Sequence, residues 1–210
     1  MLHIKIIGTA ALALILSLSL PAYADGQPGK FDYYLLTLSW SPEHCAEVKN
    51  DKIQCNGTER YGFVVHGLWP QYDRGYPASC STTPGVPEAV VQKMLPIMPS
   101  PSLIQHEWEK HGTCSGKAVG EYFDLINNTF RTIKIPAAFA NPSSQVNTST
   151  AKIRKQFIDS NPSLQMAVAC KGAYLQEVRL CFDKAMHPTA CSSEVRDHCP
   201  ASAVIMRPVQ

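Results

Sequence analysis

Two short segments of the chain concentrate side chains that can transfer protons or bind anions. The first is His66-Gly67-Leu68-Trp69-Pro70-Gln71, and the second runs from His106 to Cys114 with the sequence HEWEKHGTC. Histidine gains and loses a proton near neutral pH, and lysine carries a compact positive charge. These residue types are therefore candidates for acid–base chemistry on one small ligand.

The second segment is typical of a helix, in which each residue advances about 100° around the axis. His106 and Lys110 then lie about 40° apart, as do Glu107 and His111, and the four together cover an arc of about 140°. They can converge on one ligand, although a solvated charged helix face has the same pattern. A single histidine at a strand end, such as His66, is more often structural than functional.

A metal site is the main alternative use of these histidines. In the H-E-x-x-H motif, two histidines four residues apart lie on one helix face and reach one zinc ion. His106 and His111 are five residues apart, which separates them by about 140°. The spacing argues against a zinc hydrolase, and we expect neither a metal nor another cofactor.

Strands and helices must position these two segments. The sequence patterns predict strands at 31–40, 61–68, 164–170, 174–182 and 203–207. They predict helices at 88–95, from Ser102 to about His111, 119–130 and 151–158. An S-x-x-Q capping box at 102–105 is expected to begin the second helix, Lys171-Gly172 to turn a hairpin, and 70–87 and 141–149 to be loops. Strands, then helices, then strands again predict an α+β fold with a mainly antiparallel central sheet and several helices packed on it.

The composition and the amino terminus define the class of protein. With 210 residues, 45% of them hydrophobic and a net charge of +2, the chain is neither disordered nor a protein that grips nucleic acid by overall basicity. The apolar run 6–20, followed by Pro21 and Ala22-Tyr23-Ala24, is typical of a signal peptide. We therefore expect residues 1–24 to be removed and 25–210 to form one exported domain that is not bound to a membrane. We expect this domain in the periplasm or, alternatively, outside the cell.

The two segments resemble the active-site signatures of the ribonuclease T2 family, and the chain looks most similar to its short bacterial members of the ribonuclease I type. The opening FDYYLLTLSWSPEHC and the later ACKGAY and LCFD also look like family features. The resemblance implies a ribonuclease T2-like fold and an endoribonuclease of broad specificity. It would cleave single-stranded RNA through 2′,3′-cyclic phosphates to 3′-phosphates.

The resemblance also implies a role for each matching residue. His66 would protonate the leaving 5′-oxygen, and His111 would take the proton from the ribose 2′-OH. His106 would bind the phosphate, while Glu107 and Lys110 would stabilise the transition state. Trp69 would stack on a base, and Tyr72 and Tyr76 are candidates for further base platforms. Gln71 stands where some relatives carry an acidic residue, which leaves the base preference open.

These roles agree with the chemistry of RNA cleavage. Metal-free cleavage needs one group to activate the 2′-OH and another to protonate the leaving oxygen, and a pair of histidines can do both near their reference pKa of about 6.5. DNA has no 2′-OH, so we expect no cleavage of DNA. We expect the protein to be a monomer that acts on RNA with weak base preference. The alternative is a catalytically inactive protein of the same fold that binds RNA or another protein.

The eight cysteines are expected to form four disulfides, because an exported chain meets an oxidising compartment. Eight cysteines allow 105 pairings, and a hairpin at 171–172 would hold Cys170 and Cys181 too far apart to bond. The resemblance implies the set Cys45–Cys55, Cys80–Cys114, Cys170–Cys199 and Cys181–Cys191. The second of these would hold the two signature segments together.

Overall fold

The computed structural model describes residues 26–48, 50–199 and 203–209. The predicted signal peptide, 1–24, lies outside the described residues. Within the described ranges, the strands are β1 Tyr33–Trp40, β2 Phe63–Gln71, β3 Val146–Thr148, β4 Gln165–Lys171, β5 Tyr174–Phe182 and β6 Val204–Met206. The α-helices are α1 Ser41–Glu47, α2 Glu88–Met94, α3 Pro101–Lys110, α4 Val119–Thr132, α5 Ala137–Ala140 and α6 Thr150–Ser160. None of these helices has the length and apolar character needed to cross a membrane.

One sheet organises the molecule. Its strand order is β2-β1-β5-β6-β3, with β4 paired to β5. The named strands pair antiparallel except β5 and β6, which run parallel where Tyr174 meets Ile205. The predicted α+β fold with a mainly antiparallel sheet is therefore confirmed.

The side chains on the two faces of β1 pack into two different hydrophobic clusters. Tyr34, Leu36, Leu38 and Trp40 point into the main hydrophobic core, where α4 and α6 contribute further apolar side chains. Leu35 points to the opposite face with Tyr33 and belongs to a smaller cluster that includes Trp69. Because side chains alternate along a strand, the second face is free to carry polar residues from the neighbouring strands.

Four disulfides reinforce this fold. They are Cys45–Cys55, Cys80–Cys114, Cys170–Cys199 and Cys181–Cys191. The pairing implied by the resemblance is confirmed. Two of these bridges tie the segment after β5 to β4 and to β5 itself.

Four local predictions need correction. Helix α3 begins at Pro101, one residue before the expected Ser102, because Ser100 caps it and accepts a hydrogen bond from the backbone N–H of Leu103. Gln105 bonds to Val86 instead of completing a capping box. The hairpin turns at 172–173, since Lys171 still pairs with Tyr174. Strand β2 continues through Pro70 to Gln71, as an edge strand permits. The expected loop 141–149 contains β3, which pairs with β6.

Candidate active site

His66 lies at a bulge in the pairing of β2 with β1. Thr37 pairs with Gly67, and the next residue, Leu38, pairs with Val65, so His66 is the extra residue. Strict alternation counted back from Leu68, which lies in the main core, would send the His66 side chain toward that core. The extra residue resets the alternation, so that His66 faces the same side of the sheet as Trp69.

Glu107 reaches from α3 onto this face and is almost completely buried, with 1% of its surface exposed. Its Oε2 accepts a hydrogen bond of 2.6 Å from Trp69 Nε1, and its Oε1 lies 3.7 Å from His66 Nε2. A Cβ at position 67 would come within 2.0 Å of Glu107 Oε2. Gly67 is therefore required for the carboxylate to approach the strand.

The carboxyl end of α3 supplies the remaining charged groups. His106 is exposed and Lys110 is half-buried, whereas His111, the residue that caps the helix, is 5% exposed. The His111 ring stacks on Trp69 with their centroids 5.2 Å apart. Its buried Nδ1 has no hydrogen-bond partner among the described residues, which is uncommon outside functional sites.

The loop before α2 is fastened to this end of α3. Ser79 N donates to Lys110 O at 2.8 Å, and Cys80 N donates to Thr113 Oγ1 at 3.1 Å. The Cys80–Cys114 bridge joins the same two segments. These bonds keep Tyr76 beside His111, with ring centroids 5.9 Å apart.

Burial and neighbouring charges shift the pKa values of His111 and His66 in opposite directions. Burial, with the charges of Lys110 and His106, lowers the pKa of His111 to about 3. Burial also acts to lower the pKa of His66, but the hydrogen bond to Glu177 and the carboxylate of Glu107 outweigh it and raise that pKa. At neutral pH His111 is therefore neutral, and His66 holds its proton to a higher pH than an ordinary histidine.

The pKa of Glu107 also differs from its ordinary value. Burial raises the pKa of Glu107 to about 7, although His66, the Trp69 hydrogen bond and Lys110 oppose that rise. A carboxyl group with this pKa exchanges its proton near neutrality.

A cleft of about 390 Å³ brings most of the predicted site residues together. His66, Trp69, His106, Glu107, Lys110 and His111 line it, with Gln71 and Tyr76. Tyr76 is 50% exposed, and Lys110 Nζ lies 5.9 Å from its ring centre. Tyr72 is absent from this lining, because its ring packs against the main core.

The opposite wall of the cleft was not predicted from the sequence. Arg179 from β5 and the segment 192–195 line that wall, and buried Glu177 bonds to both His66 and Arg179. The available signal was a glutamate and an arginine two residues apart inside a strand, which places both on one face.

A second cleft, of about 400 Å³, adjoins the first. His66 and His106 line both, and Ser39, His44 and Leu103 help to line the second. His66 and His106 therefore border both clefts.

Among the described residues, His44, Asp51 and Cys55 form the group whose spacing could hold a metal ion. The Cys55 sulfur is bonded to Cys45, which leaves two ligands there. The residues of the first cleft do not include this group.

Comparison with known proteins gives a consistent result. The family model described as "Ribonuclease T2 family" matches residues 31–191. The chain is 46% identical to a ribonuclease of Aeromonas hydrophila over 124 residues, which are 59% of this chain and 56% of that protein. It is 31% identical to a probable ribonuclease of Haemophilus influenzae over 183 residues, 78% of this chain and 62% of that protein. The chain thus spans about 56% to 62% of the length of these two relatives.

A solved structure shares the fold. The structure of RNase NT in complex with 5′-AMP superposes with a TM-score of 0.72 at 22% sequence identity, covering 86% of this chain and all of that one.

Proposed function

The chain belongs to the ribonuclease T2 family, and from that premise we propose that it is an endoribonuclease that cleaves single-stranded RNA by metal-independent acid–base transphosphorylation. The observation that carries this proposal is the pair of histidines lining one cleft, one with a lowered pKa and one with a raised pKa. Two groups whose surroundings move their pKa values apart can act as base and acid at the same pH.

In the first step, neutral His111 takes the proton of the ribose 2′-OH, and the 2′-oxygen attacks the adjacent phosphorus. The bond from phosphorus to the 5′-oxygen breaks as His66 donates its proton to that leaving oxygen. The products are a 2′,3′-cyclic phosphate and a free 5′-OH. In the second step the roles reverse. His66 deprotonates a water molecule whose oxygen attacks phosphorus, and the bond from phosphorus to the 2′-oxygen breaks as His111 donates its proton to that oxygen, which yields a 3′-phosphate.

The groups around the phosphate stabilise the negative charge that develops there. Lys110 and His106 attract the phosphoryl oxygens from the cleft wall. Glu107, with a pKa of about 7, is able to donate a hydrogen bond to an oxygen when protonated and offsets the local positive charge when ionised.

The clefts on either side of His66 and His106 suit the two nucleosides that flank one phosphate. Trp69 and Tyr76 offer aromatic surfaces in the first cleft, and stacking on such surfaces is tolerant of base identity. We therefore expect weak base preference, and no cleavage of DNA because it lacks the 2′-OH. Tyr72, packed on the core, is the weaker of the two tyrosine candidates.

The amino-terminal sequence and the four disulfides support export. On this proposal, residues 1–24 are a signal peptide, and 25–210 form one catalytic domain in the periplasm or outside the cell. The domain acts as a monomer.

Replacing the base tests the function. His111→Gln should lower kcat on RNA by about 100-fold or more, in line with the contribution of a general base, because glutamine cannot accept the proton. His187→Gln is the matched control, since His187 is an exposed residue paired with Asp183, and it should retain wild-type activity.

Activity of the wild-type protein should persist in EDTA. Full activity of His111→Gln would overturn the assigned base, and loss of activity in EDTA would indicate a metal enzyme. A wild-type protein that binds RNA without cleaving it would favour the inactive binding protein.

A further inference from the structure

Glu177 and Arg179 have no part in the proton transfers proposed for His66 and His111. They lie on β5, where Glu177 pairs with Ser39 and Arg179 with Thr37 of β1. Their side chains therefore share the sheet face that carries His66. Glu177 is 5% exposed, and a buried carboxylate in a central strand is costly unless other groups compensate its charge.

The two oxygens of Glu177 have different partners. Oε1 accepts a hydrogen bond of 2.8 Å from Arg179 Nε and forms an ion pair with Arg179 Nη2 at 2.6 Å. Oε2 lies 3.3 Å from His66 Nδ1. The guanidinium thus neutralises the carboxylate from one side, and the second oxygen remains available to the imidazole.

This contact determines which nitrogen of His66 faces the substrate. When Nδ1–H donates to the carboxylate, Nε2 is the nitrogen left to exchange a proton. Nε2 is also the atom that lies 3.7 Å from Oε1 of Glu107, which lines the first cleft, and 34% of the His66 side chain is exposed.

We propose that Glu177 is the positioning residue for His66: it holds Nδ1–H, directs Nε2 into the cleft and stabilises the imidazolium, while Arg179 keeps Glu177 ionised. This inference rests on the proposed function, because it takes His66 as the group that protonates the 5′-oxygen. A negative charge behind a catalytic histidine orients the ring and stabilises its charged form.

The electrostatics agree with this arrangement. Burial acts to raise the pKa of Glu177, but the His66 hydrogen bond and Arg179 outweigh it and lower that pKa, so the carboxylate is ionised at neutral pH. Other titratable or charged groups line the same clefts as His66. They are His106, Glu107 and Lys110 from α3, His111 at its end, Tyr76, Arg179 and Glu194, and Glu43, His44 and Glu47 from α1.

The test combines a titration and two substrates. In Glu177→Gln, NMR titration of the His66 ring should give a pKa lower than in the wild-type protein by about one unit, because an opposite charge at this range favours the charged form. The alkaline limb of the pH–rate profile should move to lower pH in the same variant. The titration needs no catalysis, so it tests the contact even if the wild-type protein fails to cleave RNA.

The two substrates distinguish action through the acid from general damage. A dinucleotide such as UpA has an alkoxide leaving group that needs protonation, whereas uridine 3′-(4-nitrophenyl phosphate) releases a stable phenolate. Glu177→Gln should lower kcat on UpA by about tenfold or more, within the contribution of a general acid. Its loss on the nitrophenyl ester should be several-fold smaller.

Two further variants complete the design. Glu177→Asp retains the charge and should give a His66 pKa closer to the wild-type value than Glu177→Gln does. Asp197→Asn is the matched control, since it also removes a carboxylate paired with an arginine, Arg154, but on the β4 side of the sheet, and it should leave the pH profile unchanged. An unchanged His66 pKa in Glu177→Gln, or equal losses on both substrates, would overturn the proposal.

Discussion

At the scale of single residues, the surroundings of His66 and His111 move the pKa values of these two histidines in opposite directions. His111 is enclosed at the end of α3 with cationic neighbours, whereas His66 lies between the carboxylates of Glu107 and Glu177. The sequence identified both histidines, because their motifs are local. It did not identify Glu177, which lies 111 positions from His66 and reaches it only through the strand order of the sheet.

The raised pKa of Glu107 predicts a pH-dependent cost in stability. The unfolded carboxyl loses its proton near 4.5 and the folded one at about 7, so stability falls as the pH rises through this window. Glu107→Gln removes that dependence. The free energy of unfolding of Glu107→Gln minus that of the wild-type protein should therefore become about 3 kcal/mol more positive between pH 4 and pH 8. Urea denaturation at each pH measures this difference. A difference that stays flat or declines with pH would contradict the assignment.

Gly67 gives a second test at this scale. An alanine Cβ would meet Glu107 Oε2 at 2.0 Å and Trp69 Nε1 at 2.4 Å, so Gly67→Ala should displace the carboxylate and lower both stability and kcat. The expected loss of stability is about 1–3 kcal/mol, as for other overpacked sites. Gly120→Ala is the control, because its Cβ would meet nothing within 4 Å and alanine favours a helix. Equal effects of the two substitutions on thermal unfolding and kcat would refute the argument.

At the scale of elements, the bulge in β2 and the end of α3 determine how the signature segments meet. Apolar patterning predicted the strand β2 and a capping pattern predicted the helix α3, because both signals lie within a short window of sequence. The bulge at His66 could not be predicted, since it is defined by the partners of Thr37 and Leu38 across the sheet. The start of α3 was misjudged because Ser100 and Ser102 are both plausible caps.

The Cys80–Cys114 bridge makes a testable contribution at this scale. Replacing both cysteines by serine should lower the free energy of unfolding by about 3–4 kcal/mol, from the loop entropy of 34 positions of separation. It should also lower kcat, because Tyr76 and the end of α3 lose a covalent tie. The Cys170–Cys199 bridge, with a separation of 29, is the control of similar size. Its removal should lower stability to a similar degree with a smaller effect on kcat, and the reverse order of kcat effects would count against the account.

At the scale of the whole molecule, one sheet separates the main hydrophobic core from the face that carries the candidate active site. The order of predicted strands and helices was sufficient for the fold class, because strands at both ends of the chain with helices between them leave few arrangements. The wall formed by β5 and 192–195 could not be predicted, because it depends on how the chain after β5 folds back across the sheet. A net charge of +2 is compatible with the proposed RNA substrate, since Lys110 and Arg179 place positive charge in the cleft itself.

The proposed reaction depends on two histidines that transfer protons to and from one nucleotide linkage. It can be followed by phosphorus NMR of the dinucleotide UpA with the purified protein in EDTA. We expect a 2′,3′-cyclic phosphate signal that appears first and then gives way to a 3′-phosphate, with no reaction of the 2′-deoxy analogue. A 5′-phosphate product, or cleavage of the 2′-deoxy analogue, would exclude the proposed reaction.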